Sequence, residues 1–269
     1  MELLLDNEEP CSLDLYNQGL GKVPKSVWQN VQLETLNLAD NGLTTISEEI
    51  GNLINLRMLD LGHNKLSSLP ESLGKLTKLD FLYLSNNKLG LVPQTLWEIE
   101  SLVYLNITDN QLSSLPESIG QLSNLIELRL YNNQLSSLPA SIGKLSNLRE
   151  LHGMGNQLTS LPKSIGTLKN LRKLVLEGNR IESLPDSLGD LTRLTDLDLR
   201  NNSVKNLPNS IGKLKQLRFL DLRANQLAVL PDGISRLQSL EKLDLRWNKA
   251  LSIPKWISKL ERQGSLIYS

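Results

Sequence analysis

Few residues in this chain could carry covalent or metal chemistry. There is one cysteine, Cys11, and there are two histidines, His63 and His152, in 269 residues. A cysteine nucleophile would need a histidine within hydrogen-bond reach. A metal site would need the two histidines to converge on one ion. Asp40 and His63 could form an acid–base pair. The chain has no Gly-rich phosphate loop and no H-E-x-x-H pattern. Its other distinctive residues are of a binding type. Asp198-Leu199-Arg200, Asp221-Leu222-Arg223 and Asp244-Leu245-Arg246 repeat one charged triplet, and tyrosines, phenylalanines and tryptophans recur at regular intervals.

The spacing of these residues follows from an internal repeat, the first feature to seek in any sequence. Leucines recur every 23 residues from Leu33 to Leu240 without insertion or deletion, and eleven copies fill residues 10–262. One copy reads Leu125, Leu128, Leu130, Asn133, Leu135, Leu138-Pro139, Ile142-Gly143 and Leu145. In L-x-L the two leucines point to one side, which predicts a short parallel strand with one buried face. Asparagine follows where the chain turns inward, and its amide can satisfy backbone groups of its own and neighbouring coils. Asn41 to Asn248 hold this slot in ten copies and Gln18 in the first. Ten of the eleven prolines sit on the extended return after the next leucine, and one copy has Ile46-Ser47 there instead. The I-G-x-L segment then predicts a short helical or 3₁₀ turn on the outer side. A single coil cannot bury its leucines, whereas stacked coils share one continuous core.

The first half of the copy, L-x-x-L-x-L-x-x-N-x-L, resembles the leucine-rich-repeat signature, repeat by repeat along nearly the whole chain. The second half, L-P-x-x-I-G-x-L, is similar to the intracellular 23-residue subtype. That subtype occurs in plant intracellular Ras-group-related proteins, in animal Ras-pathway scaffolds and in free-standing bacterial proteins. The resemblance implies an α/β solenoid: a single right-handed horseshoe with a parallel concave β-sheet and short helical or 3₁₀ turns on the convex side. Three segments are expected: an N-terminal cap over 1–9, eleven repeats over 10–262 as one domain, and a C-terminal cap over 263–269. Leu3 to Leu5 are expected to cover one end, and Trp256, Leu260, Leu266, Ile267 and Tyr268 the other. Ala250 stands in a core slot there, with Leu251 beside it.

The repeat disposes of the catalytic candidates. Cys11 and His63 fall two copies apart, about 10 Å at the spacing of neighbouring strands, and His63 and His152 four copies apart, about 19 Å. No cofactor and no metal are expected, and the repeats leave no stretch for a catalytic domain, so the chain is not expected to be an enzyme. Twenty-nine basic and 29 acidic residues balance, so a nucleic-acid partner finds no electrostatic footprint. No apolar run reaches the roughly 20 residues of a membrane span. The N-terminus lacks the features of a signal peptide, and one cysteine argues for a reducing compartment. A cytoplasmic monomer is therefore expected.

Four slots per copy should face the concave side or its rim. They are 44 of the 269 residues but hold seven of the eleven aromatics: Tyr16, Phe81, Tyr83, Tyr104, Tyr131, Phe219 and Trp247. Both histidines, Met58 and Met154 fall there too. Met58, Phe81 and Tyr104 share one slot in consecutive copies, with Tyr83 across from them and Tyr131 and His152 extending the patch. Such residues are enriched at binding hot spots, although cross-strand packing would also use them. Arg200, Arg223 and Arg246 form a column beside three aspartates, either a self-neutralised network or a docking platform next to Phe219 and Trp247. Gly153 stands in a core slot, and Met154 is expected to fold back and fill it; a dent in the sheet is the alternative. These residues predict a non-catalytic module or scaffold that binds a partner protein on its concave face, in intracellular signalling. The alternatives are a structural or self-assembling repeat protein and a secreted bacterial effector.

Overall fold

The computed structural model describes residues 11–269; the expected N-terminal cap lies outside them. Among the described residues there are twelve three-residue strands: β1 Ser12–Asp14, β2 Thr35–Asn37, β3 Met58–Asp60, β4 Phe81–Tyr83, β5 Tyr104–Asn106, β6 Glu127–Arg129, β7 Glu150–His152, β8 Lys173–Val175, β9 Asp196–Asp198, β10 Phe219–Asp221, β11 Lys242–Asp244 and β12 Leu266–Tyr268. They form one open sheet in chain order, every neighbouring pair parallel. Each strand is centred on a leucine, or Ile267 in β12, aligned with the central residue of the next, so side chains of equal position stack into columns across the sheet. The core is one ladder of leucines and isoleucines running the length of the solenoid.

The asparagine slot joins the coils. Asn133 Nδ2 donates to the Ile107 carbonyl of the preceding coil at 2.8 Å and to Leu130 O of its own at 3.1 Å; its Oδ1 accepts the Leu112 N–H at 2.9 Å. The same pattern runs from Asn41 to Asn248. Proline caps eight 3₁₀ turns, from Glu71–Lys75 to Asp232–Arg236, and also the first short helix, α1 Lys25–Gln29. Its fixed φ suits the extended capping residue and it has no N–H to orphan there. Ser47 replaces it in one copy and compensates, its side chain accepting the Glu49 N–H at 3.2 Å.

The turn glycines have a steric cause. A Cβ on Gly189 would press on the Ser210 carbonyl oxygen of the next coil, and one on Gly166 on that of Ser187, closer than real atoms approach. In two copies this slot holds Trp28 and Trp97, both buried in the core.

Two expectations change at the ends and in the middle. Leu260, on α2 Ile257–Arg262, is fully buried, and Leu251, Trp256, Ile257 and Ile267 pack against the core. Leu266 and Tyr268, however, extend the sheet as β12 and stand 61% and 40% exposed on its open face. At Gly153 the missing side chain is not replaced by Met154, which stays half-buried outside the core. Leu176 Cδ2 and Leu158 Cδ1 lie 3.2 and 3.8 Å from where a Gly153 Cβ would be. Neighbouring core leucines are branched and close enough to take the space, so the sheet needs no backfolding methionine.

Two stability effects follow, both measurable by thermal or urea unfolding. Asn133→Ala strands a buried N–H and a buried carbonyl in the preceding coil and is expected to cost about 3 kcal/mol. Gly189→Ala drives a methyl into the next coil's backbone and should cost about 1–3 kcal/mol.

Candidate protein-interaction surface

The open face of the sheet is built from three columns of outward-pointing residues and a fourth slot just beyond them. The fourth slot is set by the backbone. In all eleven copies from Asn17 to Trp247 its residue has positive φ, the left-handed region in which Asn, Asp and Gly are least strained. Eight of the eleven are Asn, Asp or Gly. Polar residues here, Asp40 among them, thus report the turn and not a site. His63 Nε2 lies 3.4 Å from Asn86 Nδ2; Asp40 is not its partner. Trp247 is the outlier: a bulky aromatic at φ 64°, 66% exposed. Strain of this kind concentrates at functional positions.

The sheet face divides into three zones. In the first, Met58, Phe81 and Tyr104 are directly paired across β3, β4 and β5. Phe81 is 40% exposed. Tyr83 and Tyr104 pack on each other with ring centroids 5.0 Å apart, and the Arg129 guanidinium stands 5.6 Å over the Tyr104 ring. Burial holds both phenols above their ordinary pKa. Tyr131 is half-buried at the rim.

The central zone is polar. His152 does not continue the aromatic patch: its Nε2 lies 2.9 Å from Glu150 Oε2 and 4.0 Å from Glu127 Oε1. Arg129 Nε sits 2.5 Å from Glu127, and Lys173 Nζ 3.6 Å from Glu150. Burial alone would raise the Glu150 pKa, but the His152 hydrogen bond and the Lys173 charge together bring it below the ordinary value. Donor atoms of Glu127, Glu150 and His152 fall within 4.8 Å of one another, a set able to hold a metal ion. Sequence reasoning weighed only histidine with histidine and missed it, because Glu127 and Glu150 are consecutive members of one column. Both carboxylates already have cationic partners, so a metal would have to displace Arg129 and Lys173 from them.

The third zone holds the Asp-Leu-Arg columns. Each arginine is paired: Arg200 with Glu177 at 2.7 Å and Asp198 at 3.1 Å, Arg223 with Asp221 at 2.5 Å and with Asp244 of the next coil at 3.5 Å, Arg246 with Asp244 at 2.6 Å. The columns are therefore self-neutralised. Asp244 is fully buried; desolvation would raise its pKa, but hydrogen bonds from Arg246 and the charges of Arg246 and Arg223 win and lower it. Asp198 goes the other way, raised by burial. Beside these columns Phe219 (37% exposed), Trp247 and Tyr268 stand in the open. Arg246 lies 5.6 Å from the Trp247 ring centre and 5.1 Å from that of Tyr268; Lys242 is 5.3 Å from Tyr268 and Arg218 5.1 Å from Phe219. A depression of about 240 Å³ opens here between Val175, Phe219, Lys173 and Lys242, with Asp198 and Asp221 beneath. Sequence reasoning placed Tyr268 and Leu266 in the cap and not on the sheet face, because β12 breaks the 23-residue period: Leu266 pairs with Lys242, 24 residues earlier.

A lowered carboxylate pKa is stability that exists above the unfolded pKa and is lost as pH falls through the folded one. Asp244→Asn is therefore expected to destabilise by about 1–3 kcal/mol at neutral pH. The gap between variant and wild type should persist down to about the ordinary aspartate value of 3.8 and close below it, as read by thermal melts across pH.

Sequence models of two leucine-rich-repeat families match: "leucine-rich repeat region" over residues 92–177 and 159–266, and "leucine rich repeat" over 31–89. None of the curated proteins matches the chain. Among solved structures it is similar to a leucine-rich-repeat protein of Leptospira interrogans, at 28% identity over 96% of this chain and 95% of that one, TM-score 0.50. It is also similar to the plant peptide hormone receptor RGFR1 in complex with RGF2, at 30% identity over 92% of this chain and 41% of that one, TM-score 0.80. A third is the ectodomain of the Arabidopsis thaliana membrane receptor kinase GASSHO1/SCHENGEN3 in complex with CASPARIAN STRIP INTEGRITY FACTOR 2, at 30% identity over 92% and 31%, TM-score 0.77. This chain thus spans less than half of either plant receptor chain. Among the described residues no helix is long and apolar enough to cross a membrane. Proteins of this fold typically serve as protein–protein interaction scaffolds and are generally non-catalytic. With family models matching most of its length and twelve parallel strands stacked in one open sheet, the chain belongs to the leucine-rich repeat family.

Proposed function

We propose that this chain is a non-catalytic interaction protein that holds a partner protein against the concave sheet, as a scaffold in intracellular signalling. The observation that carries this reading is the exposure of Phe81 and Phe219 on one face of the sheet, with Trp247 exposed just beyond it. A solvent-facing sheet surface needs no aromatics for stability, whereas exposed rings beside arginines are the usual anchors of protein interfaces. Two anchors are proposed. Met58, Phe81, Tyr83 and Tyr104 form one, rimmed by Tyr131. Phe219 and Trp247, with Tyr268, form the other, framed by Arg200, Arg223 and Arg246. His152 lies between them and is assigned a polar, orienting contact. The plant receptors above were solved in complex with RGF2 and with CASPARIAN STRIP INTEGRITY FACTOR 2, which supports a bound ligand here by likeness of fold alone. The exposed, unpaired Cys11 fits a reducing, cytoplasmic setting. Residues 10–262 are read as one cooperative domain.

The test is affinity capture from the native lysate with four baits. They are wild type, Phe81→Ala/Tyr83→Ala/Tyr104→Ala, Phe219→Ala/Trp247→Ala, and Leu91→Ser, which is exposed away from the sheet face. Circular dichroism should show all four folded. Capture is expected to fall at least tenfold for one or both sheet-face variants and to persist for Leu91→Ser. Identical captures by all four baits would exclude the sheet face as the binding surface.

A further inference from the structure

Just before each strand, one residue per coil lies on the lateral edge of the solenoid. Two arginines of this column have a carboxylate one coil on: Arg57 with Asp80 at 3.1 Å, and Arg218 with Glu241 through two bonds of 2.7 and 3.0 Å. Arg149 and Arg172 do not. They are neighbours, the Arg172 N–H donating to the Arg149 carbonyl at 2.8 Å. Both are exposed, and among the described residues neither guanidinium has an ion pair or a hydrogen bond. A third guanidinium, Arg193, is held on the same edge by Asn170 Oδ1 at 2.6 Å. The three line a groove of about 510 Å³ that also takes in Val103 and Ile126; its one carboxylate, Asp80, is already bound to Arg57.

Like charges one strand spacing apart, about 5 Å, repel, and in the Asp-Leu-Arg columns and at Arg57 and Arg218 of this same column an acid neutralises the arginines. Here the cations are left free in a chain of zero net charge. A single carboxylate could satisfy one guanidinium fork. A phosphate monoester, with nearly two charges and three acceptor oxygens, matches several at once. Val103 and Ile126 add an apolar half that suits a side chain next to the charged group. The groove offers no aromatic on which a base could stack, which disfavours nucleic acid. We propose that this lateral groove binds a phosphorylated peptide segment, with Arg149 and Arg172 on the phosphate, Arg193 beside it and an apolar neighbour over Val103 and Ile126. This surface is separate from the concave face, and its test does not depend on the partner proposed there.

Immobilised protein would be offered degenerate nonapeptide libraries with central phosphoserine, phosphothreonine or phosphotyrosine, their unphosphorylated twins, and a single-stranded RNA. Phosphopeptides with an apolar residue near the phosphate should be enriched, and the best of them should bind more weakly as salt rises. Arg149→Ala/Arg172→Ala should lose at least tenfold in affinity, since each lost charge-assisted bond is worth that much. Arg218→Ala, in the same column but outside the groove and already paired with Glu241, should change it less than twofold. Both variants alter exposed residues, and a thermal melt confirms their folding. No enrichment over the unphosphorylated twins, equal binding by the double variant, or preferential retention of the RNA would each overturn the proposal.

Discussion

Everything in this molecule hangs on one bond pattern, the asparagine amide that reaches from each coil into the one before it. Where the chain leaves the sheet it passes through a left-handed residue and turns inward, which leaves a carbonyl and an N–H facing the core. Asn133 supplies both partners for the preceding coil, at Ile107 and Leu112. A coil stacked on them without that asparagine would bury those groups unsatisfied, a cost of about 1–3 kcal/mol for each. Repetition is thus compulsory, and it fixes the register: leucine lies over leucine along the sheet as far as β11.

That register turns sequence periodicity into surface. Residues 23 apart become neighbours about 4.8 Å apart, so a recurring residue type becomes a stripe. On the turn side the stripe is mostly glycine, where the next coil presses on the position a Cβ would take, with Trp28 and Trp97 filling the slot in two copies. On the sheet face the stripes are free to vary, and this chain divides them into an aromatic zone, a polar junction around His152 and a zone of paired aspartates and arginines. The pairing decides what each stripe can offer. Arg223 and Arg246 are committed to Asp221 and Asp244, so they frame the exposed rings beside them more than they seek an outside charge. On the lateral edge the same comparison singles out Arg149 and Arg172, whose neighbours in the column have acids where they have none.

The two surfaces have different physical characters. The proposed sheet-face anchors are apolar and backed by a leucine core, the kind of contact that controls how slowly a complex dissociates. The lateral groove is charged and open, the kind that steers an encounter and responds to salt and to phosphorylation.

The repeat, the single sheet, the inward leucines, the asparagine slot and the proline returns were all legible from spacing, because each recurs ten or eleven times and has a local physical cause. The aromatic column Met58–Phe81–Tyr104 was legible for the same reason: a fixed period places it. The tertiary structure alone decided what depends on neighbours across coils or on a break in the period. Gly153 is repaired by Leu176 and Leu158, which are 23 and 5 residues away, and not by the adjacent Met154. His152 turns toward two glutamates instead of extending the tyrosines. Tyr268 and Leu266 join the sheet face because β12 pairs with β11 one residue out of period. Whether an arginine is free or spent is a matter of which side chain reaches it at 3 Å. A one-dimensional repeat fixes where a residue stands along the solenoid. Distance and direction in three dimensions decide what it touches.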